Sequence, residues 1–181
     1  MLRGLKKGGT NNYGIEDKYS AQYSPAVISA MGAANFTPTD LEKVIAGKNI
    51  KASASFTGIQ NNVSASSSVK DLESMFQLLY LKLMHPRTDE ALFNAYKEKQ
   101  ITQLQFLTAN PQLGFVDTLF TVLYNNNPLA PSPLPKPEHY NAIKLDRAMD
   151  IYRNEFGTAD GYQFFIVGNV SQDAIVPLIE T

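Results

Sequence analysis

The sequence predicts an α+β fold in which a mostly antiparallel sheet is covered by helices. Three observations favour this class. Helix-like and strand-like segments are mixed along the 181 residues without strict alternation. Two neighbouring segments with alternating small residues form a natural hairpin, and the longest apolar segments repeat at helical spacing. At about 150 residues per domain, the length corresponds to a single α+β domain over residues 1–181.

Composition excludes several function classes. The chain has no cysteine, so it cannot form a disulfide, a thiolate zinc site or a cysteine nucleophile. Its formal net charge is −1, and neither sign forms a long run, so the electrostatic signature of a nucleic-acid-binding protein is missing. No apolar stretch approaches the ~18 residues of a membrane-spanning helix. We therefore expect partners other than nucleic acid or membrane.

The chain opens with a predicted strand and a predicted helix. The segment from Leu2 to Lys7 alternates weakly and meets a turn at Gly8-Gly9. Apolar residues at helical spacing predict a helix from Tyr19 to Met31. Pro25 lies inside this pattern and must begin or kink the helix, because proline lacks the backbone N–H that a helix interior uses.

Capping signals locate a second helix, and a hairpin follows it. The run from Thr37 to Asp40 combines a hydroxyl that accepts from helix amides, a proline suited to the first position and an acid at the positive end of the dipole. This helix is predicted to end at Gly47. Strands from Ile50 to Phe56 and from Ile59 to Ser67 form the predicted hairpin.

Three helices are predicted between the hairpin and a proline-rich segment. Ser68 to Met84 carries an apolar stripe so wide that burial between two layers is expected. A helix beginning at Thr88-Asp89-Glu90 runs to about Ala109, and another covers Leu113 to Tyr124. Half of the ten prolines fall within residues 128–137, which we expect to be an extended surface connection.

The end of the chain predicts a helix, a strand and a helix. The first helix covers Ile143 to Phe156, and the apolar run from Tyr162 to Val167 predicts a buried strand. Ser171 caps a final helix that still continues at Thr181 without a stop signal. Because the opening strand also has almost no sequence before it, we expect the chain to be a truncated unit of a longer polypeptide.

The histidines and the basic loop do not form a reactive constellation. His85 and His139 are the only histidines, and a zinc site usually needs three or four protein ligands. His85 lies at a predicted helix end, where it would interact with terminal carbonyls, and His139 is predicted to be a surface residue. The run from Lys6 to Thr10 lacks the spacing of a phosphate loop and is predicted to be a strand-to-turn junction.

Most other polar candidates have structural explanations. The helix macrodipole accounts for three acidic pairs near predicted helix starts: Asp40 with Glu42, Asp71 with Glu73, and Asp89 with Glu90. Ser68 is predicted to cap a helix, since the chain contains no nucleophile-elbow motif. The tyrosines near the start of the chain could instead line a groove: Tyr13, Tyr19 and Tyr23.

The order of many short motifs resembles that of a known family. In sequence order they are Gly8-Gly9-Thr10, Tyr19-Ser20-Ala21, Gly32, the run Phe36 to Leu41, Ile45-Ala46-Gly47-Lys48, the run Ser67 to Leu81, Pro86-Arg87-Thr88-Asp89, Phe93, Tyr152, Phe156 and the run Phe164 to Val170. As a set they resemble the insulinase/pitrilysin family of zinc metallopeptidases, the inverzincins. The resemblance covers nearly the whole chain and is greatest to the large bacterial members built from two tandem halves.

The resemblance implies the fold of a metallopeptidase half (LuxS/MPP-like). In that family each half holds two related α+β units, and the first unit binds zinc through H-x-x-E-H on one helix and a glutamate on a later helix. This chain resembles the matching unit of the second half. Its helix from about Tyr19 to Met31 contains neither histidine nor glutamate. The later helix, around Lys97 to Leu107, offers Glu98, Gln103 and Gln105 without partner ligands.

We therefore expect no catalytic, cofactor-binding or metal-binding residue in this chain, and place the zinc in the catalytic half of a parent peptidase. The resemblance implies a structural role: the domain would pack against other domains of the same polypeptide and help to wall a chamber for peptide substrates. It also suggests a periplasmic or cell-envelope parent. Without its neighbours, the isolated chain would expose a strand edge and apolar surface and could self-associate.

Two other functions stay open. A stand-alone module could bind peptides or proteins at its sheet edge or in a tyrosine-lined groove. An enzyme complete in 181 residues is disfavoured, because the sequence offers no catalytic constellation. Bound zinc together with peptidase activity would contradict both the structural role and the module.

Overall fold

Apart from one short helix that was not predicted, the helices and strands follow the predicted order along the chain. The computed structural model describes residues 1–108, 111–132 and 134–180. The strands are β1 (Leu2–Lys7), β2 (Ile50–Phe56), β3 (Gln60–Ser67) and β4 (Gln163–Ile166). The helices are α1 (Lys18–Met31), α2 (Pro38–Val44), α3 (Leu72–Met84), α4 (Glu90–Thr108), α5 (Pro111–Leu123), α6 (Pro137–Asn141), α7 (Leu145–Phe156) and α8 (Gln172–Ile179).

The strands pair into one antiparallel sheet in the order β2-β3-β1-β4. β2 and β3 form the predicted hairpin, with Ile50 opposite Ser67 and Phe56 opposite Asn61. β1 lies between β3 and β4 and pairs antiparallel with both. The α+β class with an antiparallel sheet is therefore confirmed, and within the described ranges β2 and β4 are the sheet edges.

One face of the sheet carries the core, and the other carries mostly polar side chains. Successive side chains of a strand point to opposite faces. The inward-facing strand residues pack with α1, α3 and α7 in a single cluster, which includes Leu2, Ala52, Val63, Val27, Ile28, Met75, Met149 and Phe156. The side chains of Ser53 and Ser55 on β2 point the other way and are exposed, and those of Ser64 and Ser66 on β3 are half-buried. We call this second surface the open face.

Local signals fix the ends of α1 and α2. Gly32 follows α1 with φ 92°, and a Cβ there would lie 2.2 Å from the Phe36 carbonyl oxygen, so glycine is required. The predicted cap of α2 is confirmed: the Asp40 amide donates to the Thr37 hydroxyl over 3.2 Å, and the Thr37 amide donates to the Asp40 carboxylate over 3.4 Å. The helix ends at Val44, three residues before Gly47.

Two predictions of burial were wrong. β4 was expected to be buried, but Phe164 is 44% and Phe165 53% exposed. β4 lies at an edge and has one strand neighbour in the described ranges, so only part of its surface is covered. α3 was expected to be buried between layers, but it packs mainly on β2 and β3, with smaller contacts to α7 and α8, and one side stays exposed. Its outer side chain Tyr80 is 56% exposed.

The proline-rich connection is shorter than predicted. Pro137 begins α6, where its missing N–H costs no helical hydrogen bond, and this short helix buries His139 and Tyr140. Leu134 is also buried, so the segment is not wholly a surface one. The predicted helix end at Ala109, the proline at position 133 and the continuation of the last helix at Thr181 lie outside the described residues.

α5 presents an exposed apolar stripe at helical spacing. Phe115, Leu119, Val122 and Leu123 are 68%, 42%, 71% and 67% exposed. Residues spaced by three and four positions share one side of a helix, so these side chains form a continuous surface. No helix within the described ranges is long and apolar enough to cross a bilayer.

We expect the isolated chain to self-associate through this stripe. The double variant Phe115→Ser, Val122→Ser should lower the weight-average mass in sedimentation velocity, because it removes the two most exposed apolar side chains of α5. Phe165→Ser is the control, since it removes a half-exposed aromatic from the β4 edge instead. A monomer at all concentrations of the unsubstituted chain would contradict the prediction.

Candidate functional site

An aromatic cluster fills the junction between the two helices that the resemblance aligns with zinc-binding helices. α1 packs against α4, and α6 packs against α4 beside it. The ring of Tyr19 stacks on that of His139 at 4.3 Å, and the ring of Tyr23 packs on that of Tyr140 at 4.7 Å. Tyr96 of α4 meets Tyr140 edge to face at 6.4 Å. We call these five residues the aromatic cluster.

The opposite side of α1 is packed against α7. Ala21 and Ser24 are fully buried, and their small side chains let the two helices approach closely. The Ser24 hydroxyl donates to the Ala148 carbonyl over 2.7 Å, and the Ser20 hydroxyl accepts from the Lys144 amide over 3.0 Å. These bonds satisfy two buried hydroxyls of α1, so neither is a free nucleophile.

Burial keeps the aromatic cluster uncharged at neutral pH. It raises the pKa of Tyr96 to about 12, with a further contribution from Tyr140, and it also raises the pKa of Tyr23. Burial lowers the pKa of His139, and the positive charges of Lys136 and Lys18 lower it further. The Lys136 amide donates to Nδ1 of His139 over 3.2 Å, so the neutral ring carries its proton on Nε2. The cluster can therefore pack and donate hydrogen bonds, but it holds no anionic ligand.

The structure does not bring the predicted ligand candidates into the aromatic cluster. Glu98 and Gln103 are exposed on α4, and the side chain of Gln105 lies outside the described residues. His85 is exposed at the end of α3, with its ring against that of Tyr80 at 5.4 Å. In the part of the chain that the structure describes, no three or more His, Asp or Glu residues are grouped so that they could hold a metal ion.

The prediction that His139 is a surface residue was wrong. Its side chain is buried against Tyr19 because α6, which sequence patterns did not predict, turns it toward α1. The signal for this helix was present at Pro137, since proline is common at the first position of a helix. It was hidden in a segment whose other prolines favour an extended chain.

The acidic pairs lie at helix starts, as predicted, and each has a structural role. The carboxylate of Asp71 accepts from the Asn49 amide over 3.1 Å and from the Ser68 hydroxyl over 2.5 Å. That of Asp89 accepts from the Leu92 amide over 3.1 Å and from Arg87 over 2.9 Å. These bonds lower the pKa of both carboxyl groups. Ser68 donates to Asp71 rather than accepting from a helix amide, because a 3₁₀ turn precedes α3, so its predicted capping role was wrong.

The three early tyrosines do not line one groove. Tyr13 lines a cavity of about 570 Å³ between the start of α1, the hairpin turn and the segment around Leu129. Tyr19 and Tyr23 belong to the aromatic cluster instead. The run from Lys6 to Thr10 is a strand-to-turn junction, as predicted, with Gly9 at φ 86°.

Sequence patterns missed a polar network beside that cavity. The Tyr13 hydroxyl donates to one oxygen of Glu155 over 2.6 Å, and the Asn61 amide group donates to the other over 2.5 Å. The Asn61 carbonyl oxygen accepts from the Gly9 amide over 2.7 Å. A signal existed: Asn61 lies on the inward face of β3 with Val63, a place where alternation predicts an apolar side chain.

We expect His139 to make the fold less stable in acid. Its pKa in the fold lies below the unfolded value of about 6.5, so the unfolded chain takes up the proton first. The contribution of neutral His139 to the free energy of unfolding is complete above the pKa of the unfolded chain, and it is lost as pH falls toward the pKa in the fold. Urea unfolding should show a smaller stability loss between neutral and acidic pH for His139→Phe, which keeps a ring on Tyr19. Replacement of the exposed His85 is the matched control, and an unchanged pH dependence in His139→Phe would contradict this.

The comparisons with known proteins agree with this fold. No family model matches the chain. It is 21% identical over 174 residues to a probable zinc protease, PqqL, of Escherichia coli strain K12, and this match covers 94% of the chain. The crystal structure of the periplasmic protease PqqL from Escherichia coli superposes with a TM-score of 0.78 at 20% identity over 98% of the chain. A peptidase M16 inactive domain from Pseudomonas fluorescens superposes with a TM-score of 0.76 at 16% identity, also over 98%.

The matches are to parts of longer proteins. The chain spans 18% of the curated relative, 19% of the PqqL structure and 43% of the Pseudomonas fluorescens domain. The relatives carry the names of proteases, and one of them is an inactive domain. The chain therefore has the fold of an M16 peptidase domain, and its resemblance to the insulinase/pitrilysin family of zinc metallopeptidases is confirmed.

Proposed function

We propose that this chain is a non-catalytic domain of a larger zinc-dependent metallopeptidase that degrades peptides. The aromatic cluster is the observation that carries the proposal. Where α1 and α4 approach, rings packed 4.3 to 6.4 Å apart fill the junction of the two helices that the resemblance aligns with the family's ligand-bearing helices. These side chains stabilise the junction of the helices, and the one basic ring nitrogen among them, Nδ1 of His139, already accepts from the Lys136 amide. In this proposal the zinc belongs to another domain of the same polypeptide.

The open face supports a role as part of a chamber wall. On β2 and β3 this face carries the exposed side chains of Ser53, Ser55 and Lys51 and the half-buried hydroxyls of Ser64 and Ser66. Such a surface is well hydrated and offers little apolar area to hold a peptide tightly. An extended peptide could therefore pass along it without being trapped. The helices on the other side, with the exposed stripe of α5, are the surface on which neighbouring domains would pack.

Metal analysis and a peptidase assay test the absence of catalysis. The 181-residue chain should retain less than one equivalent of zinc after loading and dialysis, and it should not cleave a fluorogenic peptide library. A stoichiometric zinc ion together with peptide cleavage would overturn the proposal. The double variant Tyr19→His, Tyr23→His tests whether the aromatic side chains of α1 account for the expected lack of zinc binding. Two histidines four residues apart on α1 should raise zinc retention above that of the unsubstituted chain.

The reading frame that encodes the chain tests its membership of a larger enzyme. An H-x-x-E-H motif upstream in the same frame is expected. A frame confined to these residues would favour the second candidate, a module that binds an extended peptide at its sheet edge. The observation that favours this candidate is the exposed β4 edge, with Phe165 53% exposed.

A further inference from the structure

A cavity of about 210 Å³ lies between α1, α2, β2 and α3, away from the aromatic cluster. Its walls are largely apolar and come from α1, α2, β2 and α3, with Tyr152 added from α7. They include the side chains of Pro25, Ile28, Leu41, Ile45, Ala54 and Leu78. One cationic side chain, that of Lys82 on α3, also lines the cavity. The site therefore combines an apolar pocket with a single amine.

The ammonium group of Lys82 has more hydrogen-bond donors than the protein uses. Its Nζ donates one hydrogen bond, to the Ala52 carbonyl over 2.9 Å. An ammonium group has three donors, and none of the ion pairs in the described ranges includes Lys82. Burial without a counterion disfavours the charged amine and lowers the pKa of Lys82. An anion in the cavity would relieve that cost.

The bond to Ala52 has a structural explanation of its own. Backbone bonds join Thr57 to Gln60 and Ser68 to Asn49 at the two ends of the hairpin. Because bonded pairs alternate along an antiparallel ladder, the Ala52 carbonyl points outward from the β2 edge. Lys82 thus covers an open edge position, as lysines commonly do. Covering the edge uses one N–H of the Lys82 ammonium group. It does not explain the other two N–H groups or the apolar cavity beside them.

We propose that this cavity binds the carboxylate of a small apolar acid, with Lys82 as its cationic partner. The acid is either a free short-chain carboxylate or the C-terminal residue of a peptide. An apolar cavity of about 150 Å³ binds benzene, so a volume of about 210 Å³ accommodates a branched body of five or six carbons. The carboxylate would accept from the two unused N–H groups while Lys82 keeps its bond to Ala52.

The carboxylate of Glu42 is expected to weaken binding of the acid ligand. Glu42 also lines the cavity and is exposed. Its negative charge repels an entering carboxylate, so Glu42→Gln should tighten binding about twofold at low ionic strength. The same variant should not affect a neutral ligand of the same shape.

The experiment titrates the 181-residue chain with 4-methylpentanoate and with 4-methylpentanamide, followed by NMR of the side-chain methyl groups. We expect saturable shifts at Ile28, Leu41 and Leu78 with the acid, and binding at least about tenfold weaker with the amide. Lys82→Met should weaken acid binding to the level of the amide, and Lys82→Arg should restore part of it. Lys51→Met is the matched control, because Lys51 is an exposed lysine of β2. Thermal unfolding checks that each variant is folded.

Two peptides distinguish the sources of the carboxylate. An acetylated tetrapeptide that ends in leucine with a free carboxyl group is compared with the same peptide amidated. Tighter binding of the free-carboxyl peptide than of 4-methylpentanoate identifies a peptide C-terminus, and the reverse order identifies a free acid. Equal binding of acid and amide, unchanged acid binding in folded Lys82→Met, or no saturable binding of any probe would overturn the proposal.

Discussion

Replacement of Asn61 by leucine is expected to destabilise the fold by about 3 kcal/mol. Asn61 is fully buried on the inward face of β3 and links two parts of the chain. Leucine would leave the Gly9 amide without an acceptor. It would also remove the hydrogen bond that Asn61 donates to the carboxylate of Glu155. A buried polar group that loses its partner costs its full desolvation energy, so both losses add to the effect.

Urea unfolding monitored by circular dichroism measures this loss as a lower midpoint at an unchanged slope. The neighbouring variant Asn62→Leu is the matched control, because its side chain lies on the other face of the same strand and should change stability by about 0.5 kcal/mol or less. Combining Asn61→Leu with Glu155→Gln should recover part of the loss, since a neutral amide is less costly to leave unpaired than a carboxylate. Equal destabilisation by the two asparagine variants would show that the network is unimportant.

The second large effect is expected for Phe156→Ala, at about 3–5 kcal/mol. Phe156 is 1% exposed at the end of α7, and its ring packs on those of Phe56 at 4.9 Å and Tyr152 at 5.0 Å. The ring therefore joins the helix layer to the sheet. Alanine would remove these contacts and leave a cavity that the surrounding strands and helices can close only in part.

The thermal midpoint and the urea midpoint of Phe156→Ala should both fall, and Phe165→Ala provides the comparison. Phe165 is 53% exposed on the β4 edge, so its truncation should have a small effect. If the two phenylalanine variants lost the same stability, the core would not be centred on the contact between α7 and the hairpin.

Periodicity and capping signals predicted most of the helices and strands because these signals are local. The hairpin from Ile50 to Ser67 follows from alternation and a short turn, and the start of α2 follows from the Thr37 and Asp40 pair. The end of α1 at Gly32 follows from the need for a positive φ. Each of these features depends on residues a few positions apart, and a single sequence contains that information.

Burial and the candidate site were predicted poorly because both depend on distant residues. Tyr162 to Val167 has the composition of a buried strand, but its place at the end of the strand order exposes it. His139 looked like a surface residue until α6 packed it against Tyr19, which lies 120 positions earlier in the chain. The contacts of Glu155 with Tyr13 and Asn61 likewise join the first, second and last thirds of the chain.

The sequence by itself determined the order of the helices and strands other than α6, the α+β class and the resemblance to zinc metallopeptidases. The absence of histidine and glutamate from residues 19–31 was equally visible there. Only the tertiary structure decided the strand order, the packing of the aromatic cluster and the cavity beside Lys82. The physical reason is that hydrogen-bond patterns and capping act over one helical turn or one strand pair, whereas burial and electrostatic environment arise from segments that only folding brings together.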